Sequence, residues 1–368
     1  MSNNAELILA VAGSRKTQGI VEQCASAPIE SRILILTYTS NNQNELSSRI
    51  ATYAGDHHHI EIQGWFAFLI RSIVRPFIPF AFPDRRLRGF DFYTEPQRFQ
   101  STDSASRYLS SGDKAFRVHL PQLAFQVHVA SNGCWLDRLS RLYDVIYIDE
   151  VQDLCGYDLE ILHLLVKSGI KILMVGDIRQ AVIATNPQEP KNKKYMHTGI
   201  WNWFCEREKK GELTITQRCE TWRCRPEIAH FADALFGPEW KFQPTVSKNT
   251  KDTAHDGLFL VSVDDLHHYM QKFAPLILRY SANSGRGLPY NFTNYKESKG
   301  LSVARVCILP TAPVERYLKG SGTLSTQQSA ELYVAVTRAE QSVAFIVEKP
   351  SHYSIRQWNP ETYSPSAV

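Results

Sequence analysis

No apolar run in this chain approaches the roughly 20 residues that a membrane-spanning helix needs. Nor does it hold a C-x-x-C pair, since Cys24, Cys134, Cys155, Cys205, Cys219, Cys224 and Cys307 stand apart from one another. That spacing speaks against a paired-cysteine zinc site. The opening residues, Met-Ser-Asn-Asn-Ala-Glu, have neither the basic nor the apolar part of a signal peptide. With an odd cysteine count this leads us to expect reduced thiols, a cytoplasmic protein and no membrane partner. Internal repeats and low-complexity tails are missing as well, although the residues after Pro350 read as irregular. Excess charge is scarce: 41 Lys+Arg against 37 Asp+Glu leave a formal +4, compatible with nucleic acid without demonstrating it.

What is present is enough for two cores, because 43% of 368 residues are hydrophobic. Strands are predicted at Leu7–Val11, Ile33–Thr37, His59–Ile62, Val145–Ile148 and Ile170–Val175. Helices are predicted at Thr17–Ala27, Asn42–Tyr53, Trp65–Val74 and Asp158–Lys167. Strands separated by helical crossovers imply a parallel α/β sheet. The interval Arg75–Ser140 breaks the rhythm with Pro, Phe and basic residues, and reads as an insertion that is largely helical near its end. A second α/β series follows the Pro/Lys-rich stretch Asn186–Lys194. Its predicted strands are Leu213–Thr216, Leu258–Val263, Leu276–Arg279, Val303–Leu309 and Val343–Val347. Its helices are Pro226–Phe236, Asp264–Phe273 and Gln327–Ala339. The expected organisation is two parallel-sheet α/β domains, residues 1–200 with an insertion near 75–140, and residues 201–368. Two such lobes would make a cleft for a ligand.

The stretch Asp144-Val-Ile-Tyr-Ile-Asp149-Glu150-Val-Gln152-Asp153 carries the most chemical information. Val145, Ile146 and Ile148 read as a buried central strand, and it delivers two adjacent carboxylates at its carboxyl end. Such a pair is costly without a cation, so Asp149 reads as a Mg²⁺ ligand and Glu150 as a general base. Upstream, Ala10-Val11-Ala12-Gly13-Ser14-Arg15-Lys16-Thr17 lies between the first strand and first helix. Backbone amides and a helix amino end there can cradle phosphates. Lys16 would pair with the β and γ phosphates and the Thr17 hydroxyl would bind Mg²⁺. Arg15 and Ala10 stand where glycines are expected. A plain strand-to-helix turn is the competing reading of the loop taken alone.

These segments, in this order, resemble the superfamily 1 helicases of the UvrD/PcrA/Rep type along nearly the whole chain. Thr37-Tyr38-Thr39-Ser40 resembles T-F-T-N, and Gly64-Trp65-Phe66-Ala-Phe68 loosely resembles the next DNA-contacting segment. The resemblance therefore implies nucleic-acid contacts at Thr37, Tyr38, Thr39 and Trp65. Asp149-Glu150-Val-Gln152-Asp153 matches D-E-x-Q-D. Gly176-Asp177-Ile-Arg179-Gln180 matches G-D-x-x-Q, which makes Gln180 the γ-phosphate sensor. Thr221-Trp222-Arg223-Cys224 resembles N-Y-R-S, placing Trp222 near adenine and Arg223 at the γ-phosphate. Lys299-Gly300-Leu301 resembles the nucleotide-proximal K-G-L element. Tyr333-Val-Ala335-Val-Thr337-Arg338-Ala339 matches Y-V-A-L-T-R-A, whose arginine is a second finger. The implied domains are RecA-like, and the implied activity is an ATP- and Mg²⁺-dependent helicase or translocase moving 3′→5′ on single-stranded or partly duplex DNA. A place in DNA repair, or in phage defence beside a nuclease, is also implied.

Departures from the pattern qualify that reading. No L-N-x-x-Q motif precedes the phosphate loop. Arg15 could crowd the phosphates or pair with them. Ala181-Val-Ile183-Ala-Thr185 lacks the family's stacking aromatic, and Ser302 replaces the K-G-L-E glutamate. The interval Cys224–Lys299 is too short for the large inserted domain of full-size enzymes. A non-hydrolysing nucleic-acid-binding regulatory subunit with a degenerate nucleotide site is the alternative. Phe66 and Phe68 open an apolar helix and read as core. Arg71, Arg75 and Arg85-Arg86-Leu-Arg88 read equally as phosphate contacts or a solvated face, and Lys191–Lys194 as a solvated loop. His57-His58-His59 would point to alternate faces of a strand and not converge on a metal.

Overall fold

The computed structural model of the chain describes residues 4–97 and 100–360. Among the described residues fifteen strands form in chain order. The first eight are β1 (Ala5–Ala10), β2 (Ile33–Thr37), β3 (Ile60–Gly64), β4 (Gly89–Asp91), β5 (Lys114–Phe116), β6 (Val145–Ile148), β7 (Lys171–Gly176) and β8 (Thr214–Arg218). Then come β9 (Glu220–Thr221), β10 (Val246–Ser247), β11 (Gly257–Ser262), β12 (Leu276–Arg279), β13 (Thr293–Asn294), β14 (Val303–Ile308) and β15 (Ala339–Val347). By internal contacts the chain divides into two units. The first comprises residues 1–9, 16–176 and 184–216, and the second residues 10–15, 177–183 and 217–368.

A six-stranded sheet in the order β3-β2-β6-β7-β1-β8 underlies the first unit. Its β3-β2, β2-β6, β6-β7 and β7-β1 pairs are all parallel. Ile33, Leu34, Ile35 and Leu36 of β2 are wholly buried, the run expected of a strand covered on both faces. Between β3 and β6 the chain adds the β4–β5 ribbon and the helices Leu120–Ala130 and Cys134–Leu142. The helix predicted over Trp65–Val74 starts as α-helix at Trp65–Phe68, widens to a π-turn over Leu69–Val74, and runs on as Arg75–Ala81. Pro79, lacking an N–H, removes one i→i−4 bond from that last part.

The second unit is built on a five-stranded, all-parallel sheet in the order β11-β15-β14-β12-β13. Phe345, Val343, Val306, Leu260 and Leu332 meet in its core, which also takes in Ala12 from the loop after β1. The helix Thr326–Val336 opens with a capping box between Ser325 and Gln328. One strand assignment needs correcting: the segment predicted at Leu213–Thr216 forms β8, but it lies at the edge of the first sheet beside β1. Sequence order suggests the second sheet, whereas position in a parallel sheet is set by crossovers that sequence order leaves open. The two-residue strand β13 is too short to give a period. No helix among the described residues is long and apolar enough to cross a membrane.

Candidate nucleotide and nucleic-acid site

The loop after β1 has the backbone of an anion cradle. Gly13 sits at φ +75° and Arg15 at φ +58°, so the amides change direction twice before the 11-residue helix Lys16–Ser26 begins. Gly13 is required by a close approach as well as by its φ. A Cβ there would lie 2.5 Å from Arg223 Cβ and 2.7 Å from Thr221 Oγ1. Thr221 Oγ1 donates to the Ala12 carbonyl at 2.7 Å, and the Trp222 N–H donates to the Gly13 carbonyl at 3.0 Å. Ser14 is buried with its hydroxyl lacking a hydrogen-bond partner, a donor held ready in the loop. No acidic residue stands in the first turn of the helix to oppose an anion.

Within the second unit, side chains of two matched segments join main-chain groups of two others in one hydrogen-bonded chain. The Ala12 N–H donates to Tyr333 Oη at 3.2 Å, and Tyr333 Oη donates to Asp177 Oδ2 at 3.0 Å. Gln180 Nε2 donates to the same oxygen at 2.8 Å, while Gln180 Oε1 accepts from Arg338 at 3.0 Å. Arg338 is almost fully buried and also donates to the carbonyls of Val334 at 2.9 Å and Leu301 at 3.2 Å. Burial holds the Tyr333 hydroxyl far above its ordinary range, so it stays protonated and keeps donating. Asp177 also accepts from Arg179 Nε at 3.3 Å, and Arg179 reaches Asp233 at 2.9 Å. Burial opposes the Arg179 charge, but Tyr333, Asp177 and Asp233 hold its pKa above the ordinary value. Arg223 donates to the Thr337 carbonyl at 3.1 Å. Gly300 takes φ +93° just before Leu301, and Ser302 Oγ donates to Glu340 at 2.9 Å.

The double acid lies at the end of β6, as its sequence predicts. The Asp149 N–H donates to Leu36 at 2.8 Å, and Asp149 Oδ1 accepts from the Glu150 N–H at 3.0 Å. Glu150 takes φ +55°, an uncommon conformation for a residue with a Cβ. Gln152 Nε2 donates to Glu150 Oε2, which fixes the carboxylate's direction. Gln152 in turn packs where a Cβ on Gly176 would be. Among the described residues no three His, Cys, Asp or Glu side chains converge on a metal. A divalent cation taking one carboxylate, one hydroxyl and substrate phosphate fits such a donor set. Thr17, in the first turn of the helix Lys16–Ser26, and Asp149, just after β6, are the residues that would be called on to hold it.

The segments expected to contact DNA fare unevenly. Thr37 is buried with an unpartnered hydroxyl, and Tyr38 is half-buried. Thr39 caps the helix Ser40–Tyr53, its Oγ1 accepting from the Asn42 N–H at 3.2 Å. Trp65 has to be corrected: at 1% exposure it presents no face to a base. Its indole N–H instead donates to Asp158 Oδ1 at 2.6 Å. Asp158 Oδ2 also accepts from Thr185 Oγ1 at 2.5 Å.

Burial raises the Asp158 pKa to about 6, against the lowering effect of those donors. The folded chain thus holds this proton more tightly than the unfolded one. The resulting cost is absent below pH 3.8, grows as pH rises to about 6, and is constant above. Two units correspond to about 3 kcal/mol. Asp158→Asn should therefore gain stability relative to wild type between pH 4 and 6.5, measured as the difference in urea midpoints. A flat difference would refute this.

Sequence reading missed the hub of the cluster. Asp177 and Tyr333 lie inside matched segments, but the motif match assigns a role to neither, nor to Arg179. A buried acid, arginine and tyrosine in segments already expected to converge were the available signal. Arg15, expected to meet phosphate, has its guanidinium 4.1 Å over the ring of Trp222, which is 46% exposed.

A strand, a glycine-bearing loop and a helix opening on lysine and threonine define the class: an α/β protein of phosphate-loop architecture. A family model described as AAA domain matches residues 1–186, just over half of the chain, so the chain belongs to that family. No protein of curated function matches it. Among solved structures it is similar to Arterivirus nonstructural protein 10 (helicase), at 14% identity and a TM-score of 0.46. The complex of that protein with DNA gives 14% and 0.45. These likenesses cover 95% of this chain but 61% and 62% of those chains.

Proposed function

We propose that the chain is an ATP-dependent helicase or translocase of superfamily 1, of the UvrD/PcrA/Rep type, moving 3′→5′ on single-stranded DNA. In this reading residues 1–200, with the insertion near 75–140, form the ATP-binding domain, and residues 201–368 the second domain. The observation that carries it is the chain Ala12–Tyr333–Asp177–Gln180–Arg338. It joins the phosphate loop, the G-D-x-x-Q turn and the Y-V-A-V-T-R segment through buried polar groups. Buried networks of this kind are costly unless every member is satisfied, and they specify one arrangement.

The residues divide the work as follows. Lys16 binds the β and γ phosphates, and the amides of residues 10–15 cradle them. Thr17 and Asp149 would hold Mg²⁺, which would supply charge neutralisation at the phosphate oxygens. Glu150 takes the proton of the attacking water. Gln180 senses the γ-phosphate, and Arg223 and Arg338 stabilise charge in the transition state. Thr37, Tyr38 and Thr39 line the DNA path, near Gly64–Phe68. A role in DNA repair or phage defence, with a nuclease partner, follows only from the resemblance. The deciding measurement is ATP turnover with and without single-stranded DNA; purified chain without stimulated turnover would overturn the proposal.

The Arg15–Trp222 stack favours the second reading, a nucleic-acid-binding regulatory subunit that does not hydrolyse, because adenine would compete for the same ring. Under the leading reading ATP displaces the guanidinium, whose contact is worth about 0.5–1 kcal/mol at an exposed site. Arg15→Ala should then lower the KM for ATP by about two- to fivefold with kcat unchanged. A raised KM would mean that Arg15 pairs with phosphate.

A further inference from the structure

A run of aromatic rings leads from the Thr37–Thr39 segment out onto the inserted β4–β5 ribbon. Tyr38 meets Phe66 edge-on at 5.8 Å, and Phe66 meets Phe90 of β4 at 5.7 Å. Phe90 and Phe92 are 4.1 Å apart at 89°, and Tyr93 follows at 6.3 Å. The inner rings are half-buried, but Phe92 is 58% and Tyr93 95% exposed. Large rings are seldom left open to water in series without a ligand to cover them. The turn that presents them is built: Asp91 Oδ1 accepts from the N–H groups of Tyr93 at 3.1 Å and Thr94 at 2.9 Å.

Charge selects the occupant. Residues 71–118 contain nine Lys+Arg and five Asp+Glu, so this one segment carries the whole formal excess of +4. Arg88, next to Gly89 of β4, is 76% exposed in its side chain, with its Nε 3.9 Å from Asp113 Oδ2. Arg86 donates to the carbonyls of Pro83 and Arg85. Exposed π-faces beside basic side chains suit a flexible polyanion with flat bases, which is single-stranded nucleic acid.

We infer that Phe90, Phe92 and Tyr93 form a stacking extension of the nucleic-acid path, on which unpaired bases lie beyond Tyr38 while Arg86 and Arg88 meet the phosphates. This rests on the proposed nucleic-acid motor. Because the rings are exposed, Phe92→Ala and Tyr93→Ala leave the core intact.

The test is fluorescence anisotropy of the full chain with a labelled 20-nucleotide oligothymidylate, alongside ATP turnover. The Phe92→Ala/Tyr93→Ala double variant should bind about ten- to hundredfold more weakly. The DNA concentration for half-maximal ATPase should shift by the same factor, with DNA-independent turnover unchanged. Arg88→Ala should weaken binding at low salt and reduce its salt dependence. Equal affinity of the double variant and wild type would overturn the inference while leaving the motor standing. Wild-type chain that hydrolyses ATP but binds no oligothymidylate would overturn both.

Discussion

Glu150→Gln is expected to cut DNA-stimulated ATP turnover by about a hundredfold to ten-thousandfold and to leave nucleotide binding within a few fold. Those magnitudes are what a positioned general base contributes. The substitution keeps the shape of the side chain. A glutamine carbonyl can still accept from Gln152 Nε2, and the backbone bond to Asp149 Oδ1 is untouched. What is lost is the ability to take a proton. Fold and nucleotide affinity should therefore survive, and the defect should lie in kcat rather than in KM. Turnover by coupled assay and affinity by a fluorescent nucleotide analogue separate the two. Undiminished turnover would remove Glu150 from the mechanism, whereas a wild-type chain without turnover would favour the regulatory-subunit reading.

How much of this was legible follows from where each residue type gets its meaning. β2 and β6 were predicted with their observed bounds because buried parallel strands read as short apolar runs with sharp ends. The position of Asp149 and Glu150 at the carboxyl end of β6 was legible because the apolar run stops where they begin. Trp65 was misread because the sequence shows an aromatic beside a glycine and not the Asp158 carboxylate 93 positions away that takes its N–H. A longer separation hid the Tyr333–Asp177 bond, which spans 156 positions. Arg15 on Trp222 could not be foreseen either, since the contact depends on a left-handed backbone at residue 15 that glycine would ordinarily supply. Local pattern thus gave the elements, and the partners of buried polar groups had to come from tertiary structure.

Arg338 and Arg223 should both prove indispensable for hydrolysis, yet differ in what else they do. An arginine that stabilises a phosphoryl transition state is worth about 10³–10⁵ in rate. Arg338→Ala should lose turnover on that scale and also destabilise the fold. It leaves the Val334 and Leu301 carbonyls and Gln180 Oε1 short of a buried donor, at about 1–3 kcal/mol for each group left unsatisfied. Arg338→Lys keeps the charge but not the planar fork that reaches three acceptors, so it should recover little of either property. Arg223 is half-buried, with its guanidinium on the Thr337 carbonyl. Arg223→Ala should therefore abolish turnover with a melting temperature close to wild type. The pairing of the two readouts is the test: kcat for both variants, and thermal unfolding of both. Should Arg338→Ala melt early but retain turnover, the residue is a structural clasp between Gln180 and the helix Thr326–Val336. In that case Arg223 alone carries the finger role.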